Sequence, residues 1–127
     1  MLKNIFLYYN YLPSICNYCL DNSKEYYNNL GINPKHNFIS WGPDNIKYGD
    51  RIFVKSDLLK NFFQNIYPKI NHKFFLFSGN SGLDIHDFKH YLDEDKIILW
   101  FGTNILWSHP KIIKIPIAHN EGNYFAN

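Results

Sequence analysis

The sequence predicts an α/β domain: a Rossmann-like layer with a mostly parallel sheet of about four to five strands and helices on both faces. Three observations predict it. Short apolar runs without alternation recur as RIFVK (51–55), KFFLFS (73–78) and KIILWF (96–101). Their centres, at residues 53, 76 and 99, are evenly spaced. A segment of helical period lies between each run and the next. Runs apolar on both sides and separated by helices belong to a parallel sheet covered on both faces. Right-handed crossovers then wind such units into a doubly wound layer.

The elements follow in chain order. Residues 1–48 read as an aromatic-rich segment packing on the domain, with Tyr8, Tyr9, Tyr11, Tyr18, Tyr26 and Tyr27 crowded together. Within it the pattern predicts a helix over about 14–30, ended by Gly31, and a strand at HNFIS (36–40). WGPDNIKYGD (41–50) is a loop on its Gly, Pro, Asn and Asp content. Residues 49–127 carry the strand–helix repeat, and the whole reads as one compact domain. After the first strand, Leu58, Leu59, Phe62, Phe63 and Ile66 form one helical stripe. Ser56 or Asp57 supplies the N-cap and Pro68 the stop. Ile85, Phe88 and Leu92 share one face of a shorter helix before the third strand. KIIKIPI (111–117) is a fourth strand, and TNILWSHP before it holds a short helical turn capped by Thr103 and ended by Pro110.

Composition narrows the class. Of 127 residues, 46% are hydrophobic and 19% aromatic, so Phe and Tyr fill much of the core. The net charge is only +2 and Arg51 is the single arginine, which argues against a nucleic-acid partner that would want a concentrated basic face. No run approaches the roughly 20 apolar residues of a membrane span. Residues 5–12, IFLYYNYL, make a poor signal peptide because they are short and no small-residue cleavage site follows. The expectation is a soluble, cytoplasmic protein. Cys16 and Cys19 form a lone C-x-x-C without the strand–helix context of a redox pair or the two further ligands of a zinc site. They read as ordinary cysteines.

Open parallel sheets bind ligands beyond the carboxyl ends of their strands. Here that edge reads Lys55-Ser56-Asp57, then Ser78-Gly79-Asn80-Ser81-Gly82, then Gly102-Thr103-Asn104, then Ala118-His119-Asn120. Lys55, Ser56, Ser78, Asn80, Ser81, Thr103, Asn104 and Asn120 are the candidate substrate-binding residues. Asp57 is the candidate catalytic base, and His119 a candidate acid/base because imidazole titrates near neutrality. Turns and helix caps want the same residue types. The Ser-Gly-Asn-Ser-Gly turn therefore has two readings, a strand-to-helix connection or a cradle for a sugar hydroxyl or anion. It has neither G-x-G-x-x-G nor P-loop spacing, and G-x-S-x-G is absent from the chain. Asp93-Glu94-Asp95 falls at the opposite, amino edge and reads as a solvated turn. His86 and His90, four apart, read as an exposed helix face, and no metal site is predicted.

GDRIFVKSDLLKNFFQNIYPKI, FFLFSGNSG, YLDEDKIILWFGTN and HPKIIKIPIA together resemble the exostosin-like, GT-B-type glycosyltransferase-like proteins of large DNA viruses and their relatives. Lys55, Asp57, Asn80, Ser81, Trp100, Phe101, Asn104, His109, Pro110 and Lys111 carry the likeness, which spans residues 49–117. Gly79 stands where that pattern has His, and Ala118 where it has Gly. The resemblance implies sugar transfer from a nucleotide-sugar donor to an acceptor hydroxyl, with no other cofactor. It also implies that the chain corresponds to the acceptor-side half or a minimal version of the fold. Catalysis would then need a homodimer or a partner chain, in a host cytoplasm or a virion. The alternative is a non-catalytic Rossmann-like module that binds carbohydrate or protein. A third class, a small hydrolase or metal-dependent enzyme using the histidines, requires a stoichiometric metal.

Overall fold

A computed structural model of the chain describes residues 12, 13, 15–21, 42–79 and 86–116. Among these residues five strands form one sheet: β1 (Tyr18–Leu20), β2 (Asp50–Lys55), β3 (Phe74–Gly79), β4 (Ile97–Gly102) and β5 (Ile112–Lys114). A helical segment, α1 (residues 56–69), joins β2 to β3, and a 3₁₀ helix, α2 (His86–Asp93), precedes β4. Every neighbouring pair of strands is parallel, in the order β1-β2-β3-β4-β5. This is the α/β, Rossmann-like layer that the apolar runs predict, with four of its strands where the sequence places them. No described helix is long and apolar enough to cross a membrane.

The pleat sorts the side chains into two cores. Ile52, Val54, Phe74, Leu76, Ile97 and Trp100 face one side and pack with Leu59, Phe62, Phe63 and Tyr67 of α1 and Leu92 of α2. Ile97 and Trp100 share that face although three residues apart. The register explains it: Phe74 pairs with Ile97 but Leu76 with Trp100, so β4 carries one extra residue there. Phe63 is the centre of a ring cluster, stacked on Tyr91 at 4.1 Å and on Phe88 at 5.3 Å. A fully buried ring such as Phe63 contributes about 1.5–3 kcal/mol through burial. On the other face Cys19, Phe53 and Phe77 pack against Leu12 and Cys16, and Phe77 stacks on Phe101 at 4.7 Å.

The strand order decides how the layer is wound. Each connection steps to the adjacent position in one direction, and right-handed crossovers made in one direction stay on one side of a sheet. The two helical connections α1 and α2 accordingly share the Ile52–Trp100 face, whereas the sequence pattern spreads helices over both faces. Among the described strands the order never reverses, so there is no switch-point crevice of the kind doubly wound sheets use.

Local structure departs from the sequence pattern in three places. Residues 18–20 are a strand, not part of a helix over 14–30, because Tyr18, Cys19 and Leu20 pair with Ile52, Phe53 and Val54. Arg51 holds the approach to it: Asn17 N–H donates to Arg51 O at 2.8 Å, and Arg51 Nε donates to Ile15 O at 2.6 Å. TNILWSHP has no helical turn. Ile105 and Trp107 are buried while Leu106 between them is 81% exposed, an alternation that extended chain satisfies and helix does not. Thr103 does not cap; its amide donates to Ser78 O at 3.2 Å, prolonging the strand pairing. Finally, α1 takes the predicted stripe but not the predicted cap: Lys55 occupies the N-cap position and no side chain bonds the free amides. Its turns widen to π geometry over Phe62–Ile66 and tighten again over Tyr67–Lys69, where Pro68 cannot donate to a continuing ladder. The predicted strand at 36–40 and Ile85 of the second helix lie outside the described residues.

Candidate functional site

Four polar or charged side chains are buried among the described residues: Asp21, Ser56, Ser78 and Thr103. Each stands at the carboxyl end of a successive strand, from β1 through β4. The register sets them in adjacent rows, for Leu20 pairs with Val54, Val54 with Ser78, and Ser78 with Gly102. Lys55 pairs with Gly79 in the row beyond.

Much of this edge is closed by its own side chains. Ser78 Oγ accepts the indole N–H of Trp100 at 2.8 Å, wholly buried. A Cβ on Gly102 would lie 2.9 Å from that Ser78 Oγ and 2.5 Å from Ile105 Cδ1. A Cβ on Gly79 would lie 2.9 Å from Thr103 Oγ1. Neither glycine has a positive φ, so the demand is for space, not for an unusual backbone angle. The first glycine of Ser-Gly-Asn-Ser-Gly is therefore a packing requirement of the Thr103 hydroxyl, which supports the turn reading for that residue.

Lys55, Asp57 and Asn104 keep part of their surface in solvent. Lys55 Nζ and Asp57 Oδ2 stand 3.6 Å apart, with their side chains 19% and 45% exposed. The pair spans the step from the end of β2 to the first turn of α1. Asn104 is half-buried and takes the left-handed conformation at φ 62°, which Asn tolerates better than most residues. Ser56, by contrast, is buried with no partner for its Oγ. The structure thus brings Lys55, Ser56, Asp57, Ser78, Thr103 and Asn104 to one edge. Of the six, Ser56, Ser78 and Thr103 belong to its interior. His119, Asn80, Ser81 and Asn120 lie outside the described residues.

Compared with known proteins, the chain matches no family model, no curated protein and no solved structure.

Asp21 was not among the sequence candidates. The run YCLD ends as VKSD does, in an acid just past a short strand, but an aromatic-rich tract read as helix hides it. Burial, with the Asp21 charge adding to it, pushes the Cys19 thiol well above its ordinary range. Cys16 is raised too, chiefly by burial. Both side chains are buried thiols outside any disulfide, and Cys19 Sγ donates to Pro13 O at 3.8 Å. The thiolate is the reactive form, so native protein at pH 8 is expected to resist iodoacetamide over a time in which unfolded protein is alkylated at both positions. Equal labelling of the two states would contradict the packing of Leu12–Cys19.

The amino edge holds the other polar cluster. Tyr67 OH donates to Glu94 Oε1 at 2.7 Å, Lys96 Nζ donates to Tyr67 O at 2.9 Å, and Lys73 pairs with Asp95 at 3.1 Å. Asn71, His72, Lys73, Glu94, Asp95 and Lys96 line an open depression of about 290 Å³ there. The acidic string is exposed at this edge, as its position after a helix predicts. His86 lies edge-on to Trp107 and His90 against Tyr91. Among the described residues no group of three His, Cys, Asp or Glu could hold a metal ion.

His109, Pro110 and Lys111 form the turn that starts β5. Ile112 N–H donates to His109 O at 2.9 Å, and Lys111 N–H to His109 Nδ1 at 3.0 Å. With Nδ1 accepting, the ring proton sits on Nε2 and is donated to Asp93 Oδ1 at 3.0 Å. Nε2 thus ties the end of α2 to the turn before β5, while Nδ1 fixes the ring within that turn. Hydrogen bonding to His109 holds the Asp93 carboxyl below its ordinary value of 3.8. A carboxyl lowered in the native state stabilises the fold above its unfolded pKa and loses that contribution as pH falls through the native one. Acid titration of stability should therefore show a loss beginning near pH 4 that Asp93→Asn removes, leaving neutral-pH folding intact. An unchanged acid limb in the variant would contradict the pair.

Proposed function

We propose that this chain is a glycosyltransferase-like domain of the acceptor side, holding a saccharide hydroxyl at the carboxyl edge of its sheet. The observation that carries the reading is the accessible Lys55–Asp57 pair, set at the one edge where the buried polar side chains of four strands also gather. A carboxylate there accepts a sugar hydroxyl, and the Lys55 ammonium beside it, with three N–H groups, can turn one toward a neighbouring oxygen. In transfer, Asp57 would take the proton of the acceptor hydroxyl as its oxygen attacks the anomeric carbon and the nucleoside diphosphate leaves.

Two features favour acceptor over donor. A diphosphate wants uncommitted cations or backbone that it can approach closely. Lys55 is already paired with Asp57, and the space over Gly79 and Gly102 is filled by Thr103, Ser78 and Ile105. The donor would then be presented by a second subunit, in keeping with the resemblance of residues 49–117 to exostosin-like proteins. The second reading is a non-catalytic module that binds carbohydrate or protein, and the unreversed strand order favours it, since no switch-point crevice forms among the described strands.

A thermal-shift screen against UDP-, GDP- and CMP-sugars, free nucleotides and short glycans tests both. A ligand at about 100 times its Kd adds roughly 2.7 kcal/mol, a rise of several degrees in Tm. A shift with glycans alone is the expected result. A shift with a nucleotide class instead would move the donor site onto this chain. No shift across the panel would overturn the carbohydrate reading and direct the search to a protein partner.

A further inference from the structure

No further inference is drawn: the strongest candidate, the uncapped amino terminus of α1 with the unpartnered Ser56 hydroxyl beside it at the end of β2, belongs to the carboxyl-edge site already described, and that hydroxyl is closed off from solvent, so a bound group could not reach it.

Discussion

Trp100→Ala is expected to destabilise the fold by about 3–5 kcal/mol, the usual cost of emptying a large buried aromatic site. Trp100 has no exposed surface and packs against Phe63 at 5.8 Å and Trp107 at 5.9 Å. For a domain of ordinary stability, about 5–15 kcal/mol, that is a large share. Chemical denaturation should report it directly, alongside a fall in Tm of roughly 10–20 °C. The hydrogen bond to Ser78 can be separated from the packing by a cycle of Trp100→Phe and Ser78→Ala. Each single change leaves a buried partner unsatisfied, at a cost of about 1–3 kcal/mol, whereas the double change removes both members. The double variant should therefore cost less than the two singles together. Strict additivity would show that the indole and hydroxyl are satisfied elsewhere, and that the small residues at this edge are not held by that bond.

Asp57→Asn should behave in the opposite way, losing ligand and keeping the fold. The carboxylate is 45% exposed and its contact with Lys55 is 3.6 Å long. Exposed pairs of this kind contribute about 0–1 kcal/mol, so the variant should unfold within that margin of the parent. A charge-assisted hydrogen bond to a bound hydroxyl is worth about 1.5–3 kcal/mol, so glycan affinity should fall by about 10- to 100-fold. If a partner subunit restores transfer, the loss in rate should be about 10²–10⁴-fold, the range of a general base. The measurement is calorimetric titration of parent and variant with whichever glycan shifts the Tm. An equally tight variant that folds normally would remove Asp57 from the site.

The strands were legible because their chemistry is uniform. Phe53, Leu76 and Trp100 sit in runs greasy on both faces, and such runs have few places to go except the middle of a covered sheet. The stripe of Leu59, Phe62 and Phe63 was legible for the same reason, its spacing matching one helical face. β1 was not. A three-residue strand carries too little pattern of its own, and YCL becomes one only by pairing with Ile52, Phe53 and Val54. The turn at Asn104 was also hidden, because its course is set by Ile105 and Trp107 entering the core and not by Thr103 capping a helix.

The class of fold, the edge at which polar residues accumulate and the identity of Lys55, Asp57 and Asn104 there are written in the chain itself. These follow from local composition and period, which do not depend on distant partners. Which of those polar groups face outward is set by packing instead. Ser78 is taken by an indole 22 residues away, and Gly79 by the hydroxyl of Thr103. Packing also sets the strand order that keeps α1 and α2 on one face. Those outcomes depend on which strands become neighbours, and neighbours in a parallel sheet are brought together by crossovers and core packing, over separations that local sequence pattern does not encode.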